Sequence, residues 1–272
     1  MALNVYIQYK LNTSGKGLFL SRLIPALKDI GVECRFKEKG CDVCLGISKW
    51  RGSTKLPKVL RVDGVHLEPG HEAQNHAIKK SIQSADAVIF QSKFAQSKVK
   101  EVLKVKPRKE YVIYNGANPK DYENQGIDRY IGHTLISGKW ERKGKERKQK
   151  NLKMMLDIAY MYCNKNPYNH FHVAGKTKLK SPHENIIMHG YLKEKELRKL
   201  IAMCDSMLNA PTVDWMPNAV VEAKVAGLKL IVNHKKCPVM KEIKEAPREA
   251  FFISNIAKQY KKVFYEVSKK KN

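Results

Sequence analysis

The sequence predicts an α/β protein made of two doubly wound units in tandem. Short β-rich runs alternate with longer segments of helical periodicity, the alternation breaks at a polar stretch after residue 118, and it restarts from residue 131. A chain of 272 residues with 43% hydrophobic content can fill two such cores.

In the first unit, NVYIQY (4–9) reads as a strand and KLNTSGKG as the loop after it. LFLSRLIPALKDI (18–30) has helical spacing, with Pro25 expected to bend that helix or delay its start. VECRF, DVCLGI and KVLRV follow as strands with the unbroken apolar character of a buried parallel sheet. Residues 71–84 read as a helix, ADAVIFQS (85–92) as a strand, Phe94 to Leu103 as a helix and YVIYNG (111–116) as a strand, so this unit spans 1–118.

The polar residues 119–130 form the expected linker, and the second unit covers 131–256. Its elements are HTLISG, a helix from Asn151 to about Asn164, HFHVAG (170–175), NIIMHGYL (185–192), the helix KEKELRKLIAMC, the strand SMLNAP, a helix from Asn218 to Ala226, and LKLIVN. The tail 257–272 is an amphipathic, lysine-rich helix expected to pack back on the first unit. Two such units, facing each other, leave a cleft where strand carboxyl ends and helix N-termini converge, the usual ligand site of open parallel sheets.

Charge narrows the partners. Lys and Arg number 52 against 26 Asp and Glu, a formal net charge of +26. Such a field concentrates polyanions, so nucleic acid or an anionic membrane surface is implied. A lysine-rich background composition is the bland alternative. No apolar run reaches the ~18–20 residues that span a bilayer, and MALNVYIQYK lacks signal-peptide character, so the expectation is a cytoplasmic or peripheral monomer. Cys41 and Cys44 form a CxxC inside an apolar stretch with no second pair, which favours buried reduced thiols over a metal or redox site.

The segment LNAPTVDWMPNAVVEAKVAGLKLIV (208–232) carries the most chemistry. Asp214 lies before a turn containing Pro217, Glu222 on the first turn of the following helix, and Gly227 closes it. Paired carboxylates of this kind accept hydrogen bonds from vicinal sugar hydroxyls. Asn218 is placed to cap the helix, whose free N–H groups favour a phosphate.

This segment resembles the donor-site signature of the retaining family-four glycosyltransferases of the GT-B fold. SADAVIFQSKF (84–94), YVIYNGANPKDY (111–122), FHVAGK (171–176) and NIIMHGYLKEKELRKLI (185–201) resemble further family segments in the same order. The resemblance implies two Rossmann-like domains and transfer from a nucleotide sugar such as UDP-glucose, with no metal or other cofactor. It implies that Glu222 holds the donor ribose and Asp214 the transferred sugar, with Pro217, Asn218 and Ala219 beside them. Asp214 stands where the family usually has a glutamate. Gly175 and the segment His189, Gly190, Tyr191 would flank the nucleotide. Ser14, Gly15, Lys16 and Gly17 would approach the diphosphate and the acceptor, although SGKG alone reads more often as an ordinary turn. Asp63, in RVDGVHLEPGH, would face the reacting sugar; Asp63-Gly64 also reads as a plain turn.

The stretch SGKWERKGKERKQKNLK (137–153) divides in two on this resemblance. Lys139 and Lys150 fit a diphosphate clamp that stabilises leaving-group charge. Between them lies a basic insertion, with Arg142, Lys143, Lys145, Arg147 and Lys148 either solvated or contacting acceptor phosphates. Two acceptors fit the charge: DNA carrying hydroxymethylated bases, with salt-sensitive phosphate contacts, and a lipid-linked or polysaccharide acceptor at an anionic membrane. A sugar-nucleotide fold reduced to a binding module is the third reading, opposed by the retained carboxylates.

Overall fold

The computed structural model describes residues 3–12, 14–123, 125–142, 144–233 and 235–269. Two compact units make up the chain: unit 1 is Met1–Gly116 with Ala250–Asn272, and unit 2 is Ala117–Glu249.

Unit 1 contains β1 (Leu3–Gln8), α1 (Gly15–Lys28), β2 (Val32–Arg35), β3 (Val43–Ile47), β4 (Lys58–Val62), α2 (Glu72–Gln83), β5 (Ala87–Phe90), α3 (Lys93–Leu103) and β6 (Glu110–Val112). The strands form one sheet in the order β2-β1-β3-β4-β5-β6, every neighbouring pair parallel. The central strands β3 and β5 are buried at every residue, which explains their unbroken apolar runs. At the edge, β2 buries only Val32, so its sequence is more polar than a central strand. Ser14 caps α1 by accepting a hydrogen bond from the Gly17 N–H at 3.3 Å. The helix therefore takes in Gly15–Gly17, earlier than the apolar periodicity suggests. Pro25 lies inside it without ending it. A Cβ on Gly17 would collide with the Asn12 carbonyl, so this glycine allows the loop to close on the helix.

Unit 2 contains β7 (Tyr130–Ser137), β8 (Glu141–Arg142), β9 (Lys145–Glu146), α4 (Leu152–Lys165), β10 (His170–Ala174), β11 (Ile186–Gly190), α5 (Glu194–Met203), β12 (Cys204–Asn209), α6 (Asn218–Val225), β13 (Lys229–Val232) and α7 (Val239–Glu245). A parallel sheet runs β11-β10-β7-β12-β13. Residues 117–130 belong to this unit, and Arg129 donates to the Ala226 and Gly227 carbonyls at 2.8 and 3.1 Å. A cation there complements the C-terminal end of α6. The basic insertion contains an antiparallel hairpin, β8 with β9, turning at Gly144 with φ +75°.

The chain returns to unit 1 at Ala250, and α8 (Ile253–Ser268) closes it. Ile256, Tyr260, Val263, Phe264 and Val267 recur at helical spacing and pack with Phe19 and Leu23 of α1 and with Val5, Ile7 and Leu45 of the sheet. Burying each such side chain contributes roughly 1.5–3 kcal/mol. Tyr111 donates to Glu266 at 2.6 Å, and Lys261 to the Ile30 carbonyl at 2.6 Å, fixing the register of α8. Among the described residues, no helix is long and apolar enough to cross a membrane.

Candidate active site

In unit 2 the strand order reverses between β7 and β12, and ligands of open α/β sheets bind at such a switch point, beyond the carboxyl ends of the strands. The chain leaving β7 supplies Gly138 and Lys139, and the chain leaving β12 leads to Asp214. Lys150 and Asp214, 64 residues apart, meet here in an ion pair with side chains 18% and 11% exposed. The other Asp214 oxygen accepts from the Trp215 and Met216 N–H groups at 2.8 and 3.3 Å. Thr212 donates its N–H to the Gln149 carbonyl at 3.0 Å, and Asn151 Nδ2 reaches the Ala210 carbonyl at 3.0 Å. The lysine-bearing turn and the aspartate loop are thus joined along their length. Asn151 takes up φ +59° between the 3-10 turn Lys148–Lys150 and α4.

Glu222 is buried, at 6% exposure, in the second turn of α6. The helix starts at Asn218 as expected, and Glu222 is its fifth residue, just past the first turn where the sequence reading put it. Pro217 occupies the cap position, so Asn218 is the first helical residue and not the cap. Pro217 is buried, and Asn218 and Ala219 are half-buried. At the far end, Gly227 takes φ +82° and the Leu228 N–H returns to the Ala223 carbonyl at 2.9 Å, a Schellman closure.

Three glycines shape the strand ends beside this pair. The Gly175 N–H donates to the Gly190 carbonyl at 2.6 Å, and the Gly138 N–H to the Ala174 carbonyl at 3.2 Å. Gly175 has φ +120°, and a Cβ there would collide with the Gly138 carbonyl and come within 2.7 Å of Trp140 Nε1. Trp140, 2% exposed, donates that N–H to the Ala174 carbonyl at 3.0 Å. The Arg147 N–H then closes on the Trp140 carbonyl at 2.7 Å, so the β8–β9 hairpin stands on a buried indole. Lys139, Lys145 and Lys148 are exposed and Arg147 is half-buried, while Arg142 is in β8. Lys143 lies outside the described residues.

His189 of β11 ends a row of imidazoles that the sequence reading did not anticipate. His133 Nδ1 lies 2.9 Å from His172 Nε2, and His172 Nδ1 lies 3.0 Å from His189 Nε2. His170 stacks on His133 with centroids 4.7 Å apart. Neutral rings, each donating once and accepting once, satisfy this chain. Burial first, then the neighbouring histidines, pushes His172 down to about 4; burial also lowers His189 and His133. Tyr191, just beyond Gly190, is 77% exposed.

A second constellation lies in unit 1. Asp63 is ion-paired with Arg61 at 2.7 Å and Lys16 at 3.6 Å, and accepts from Ser48 Oγ at 2.9 Å. Lys16 also donates to Ser48 Oγ at 2.6 Å, which brings the SGKG segment onto Asp63. Ser48 adopts φ +62°, an uncommon conformation for serine. Arg61, 1% exposed, also donates to Gln91 Oε1 at 3.1 Å and Asn115 Oδ1 at 2.7 Å, and its guanidinium lies 4.0 Å from the Phe19 ring centre. An arginine inside the apolar run KVLRV was the sequence signal for this buried cation. Among the described residues, no group of three or more His, Cys, Asp or Glu is arranged to hold a metal. All six cysteines are free thiols.

No protein-family model and no curated protein sequence matches the chain. Solved structures do. Anabaena Alr3699/HepE in complex with UDP and glucose aligns with 98% of this chain and 92% of its own, at 13% identity and a TM-score of 0.62. Sucrose-phosphate synthase from Thermosynechococcus elongatus aligns over 97% and 98%, at 10% identity and a TM-score of 0.70. The pneumococcal O-GlcNAc transferase GtfA, in complex with UDP and GlcNAc, matches 97% of this chain and 57% of its own at 14% identity and a TM-score of 0.58. The fold is therefore that of the GT-B glycosyltransferases, with two parallel α/β units.

Proposed function

We propose that the protein is a metal-independent glycosyltransferase that moves a hexosyl group from a UDP-sugar to an acceptor hydroxyl with retention. The observation that carries this reading is the fixed carboxylate pair of unit 2, Asp214 held by Lys150 and two backbone N–H groups, with buried Glu222 eight residues on. Neighbours of the same fold were solved with UDP and glucose or with UDP and GlcNAc, which supports a nucleotide-sugar donor. Glu222 takes the ribose hydroxyls and Asp214 the hexose hydroxyls. Lys150 and Lys139 take the diphosphate, supplying the positive charge that leaving-group departure requires.

In the transfer, the bond from the anomeric carbon to the diphosphate oxygen breaks and the acceptor oxygen bonds to that carbon. The departing diphosphate accepts the acceptor's proton. Asp63, held by Arg61 and Ser48, orients the acceptor hydroxyl. The acceptor in this reading is DNA carrying hydroxymethylated bases, supported by the net charge of +26 and by the basic hairpin mounted on Trp140 beside Lys150. Release of counterions from phosphates would make acceptor binding fall steeply with salt.

A second reading, a membrane-bound or polysaccharide acceptor, is favoured by exposed tyrosine and isoleucine side chains of unit 2. Tyr130, Ile131, Tyr162 and Tyr168 are 50%, 91%, 53% and 79% exposed. Tyrosine suits a membrane–water interface, where its ring is apolar and its hydroxyl wet. Transfer of label from UDP-hexose to hydroxymethylcytosine DNA, run beside lipid-linked and polysaccharide acceptors at several salt concentrations, decides between them. Labelled DNA with strong salt inhibition is the expected result; no labelled DNA together with tight binding to anionic vesicles would reject the DNA acceptor.

A further inference from the structure

The strand order of unit 1 also reverses, between β1 and β3, and an open pocket of about 570 Å³ lies beyond the carboxyl ends of β1 and β2 at that place. It is lined by the end of β1 and the residues after it, by Phe36 following β2, and by the Arg51–Ser53 loop after β3. Among the described residues no acidic side chain lines it, whereas Lys10 and Arg51 do.

The walls of the pocket are tied to one another and to the helices behind them. Gln8 accepts from the Arg51 N–H at 2.9 Å and donates to the Gly52 carbonyl at 3.1 Å, so its amide fixes the loop. Trp50 anchors the same loop by donating Nε1 to the Ser81 carbonyl at 3.0 Å, and its ring lies against Gly46, where a Cβ would displace it. Arg51 lies over the Tyr9 ring at 4.7 Å. Tyr9 Oη in turn lies 3.2 Å from Ser14 Oγ, the cap of α1, two residues before Lys16. Phe36 and Leu11 remain 52% and 41% exposed on the rim. A preformed pocket that leaves an aromatic side chain and an arginine with no acidic neighbour in the lining exposed suits a flat ring carrying an anionic group.

We propose that this pocket is a nucleotide-binding subsite separate from the donor site. Phe36 and Leu11 receive the face of the base, and Arg51 with Lys10 receives its phosphate. As an acceptor site it rests on the glycosyltransferase reading and gives the extruded nucleotide of a DNA acceptor a place to stack; as a binding site it stands on the pocket alone.

The probe is dCMP, titrated into the full chain by calorimetry, with UDP and methyl glucoside as companions. The pocket predicts dCMP binding that UDP and methyl glucoside do not displace. Phe36→Ala and Arg51→Gln alter exposed side chains and should melt as the parent does. Each should weaken dCMP by about 10-fold or more, in line with the loss of one stacking or charged contact, while UDP binding stays unchanged. Glu222→Ala should show the reverse. Absence of dCMP binding, dCMP displaced by UDP, or both variants binding dCMP like the parent would overturn the proposal. Variant-sensitive dCMP binding in a chain that binds no UDP would support this pocket and end the donor-site reading.

Discussion

Replacing Arg61 with methionine removes a cation at 1% exposure while keeping a side chain of similar reach. Three partners lose it: Asp63, ion-paired at 2.7 Å, and the amide oxygens of Gln91 and Asn115, at 3.1 and 2.7 Å. A buried amide oxygen left without a donor costs about 1–3 kcal/mol, and breaking a buried ion pair costs about 3–5 kcal/mol. Lys16 and Ser48 remain on Asp63, and its side chain is 16% exposed, so its share of the loss is reduced. The net expectation is about 4 kcal/mol, set by the two lost amide contacts and the weakened pair together. For chains of this size each kcal/mol moves Tm by about 2–4 °C, so the variant should melt roughly 8–16 °C below the parent. Arg61→Lys keeps the charge and should recover part of the loss. Differential scanning calorimetry reads both. A methionine variant melting within about 2 °C of the parent would refute the claim that Arg61 fixes Asp63.

Three further outcomes follow from the geometry. Gly175→Ala combines φ +120° with a collision against the Gly138 carbonyl and Trp140, and should cost about 3 kcal/mol or more in urea denaturation. A stability near that of the parent would mean that the strand-end loops are not packed as described. His172 is held near 4 against an ordinary 6.5, so the unfolded chain binds more protons between those values. Stability should therefore fall as pH drops from about 6.5 to 4, by up to about 3 kcal/mol from this group alone; His172→Asn should flatten that acid limb in pH-dependent unfolding. Burial pushes the thiols of Cys34, Cys44 and Cys204 up to about 12, so iodoacetamide at pH 7.5 should leave them largely unmodified until the chain unfolds. Rapid labelling of the native protein by mass spectrometry would contradict that.

Much of the architecture was readable because buried parallel strands print as apolar runs. VCLGI and AVIF, the central strands β3 and β5, are buried throughout. What the sequence hid is mostly tertiary. The meeting of Lys150 with Asp214, or of Lys16 with Ser48 and Asp63, joins positions distant in sequence, and only the strand order brings them together. WERKGKERKQ gave no strand signal because its hairpin is only two residues deep and depends on Trp140 for its seat. α7 was missed because it is short and lies between Pro238 and Ala246-Pro247, where proline dominates the local pattern. Asn218 has the chemistry of a cap but follows Pro217, whose extended backbone takes that position instead. The imidazole row combines His133, His170, His172 and His189 from three strands, which no local spacing reveals.

In the proposed reading, unit 2 holds a nucleotide sugar between Lys150, Asp214 and Glu222. Calorimetric titration of the parent and of Glu222→Gln with UDP-glucose tests it most directly. The proposed donor site predicts saturable binding to the parent, with affinity reduced about 10-fold or more in the variant, which would lose the charged acceptor proposed for the ribose hydroxyls. Equal binding by both proteins, or none by the parent, would contradict it.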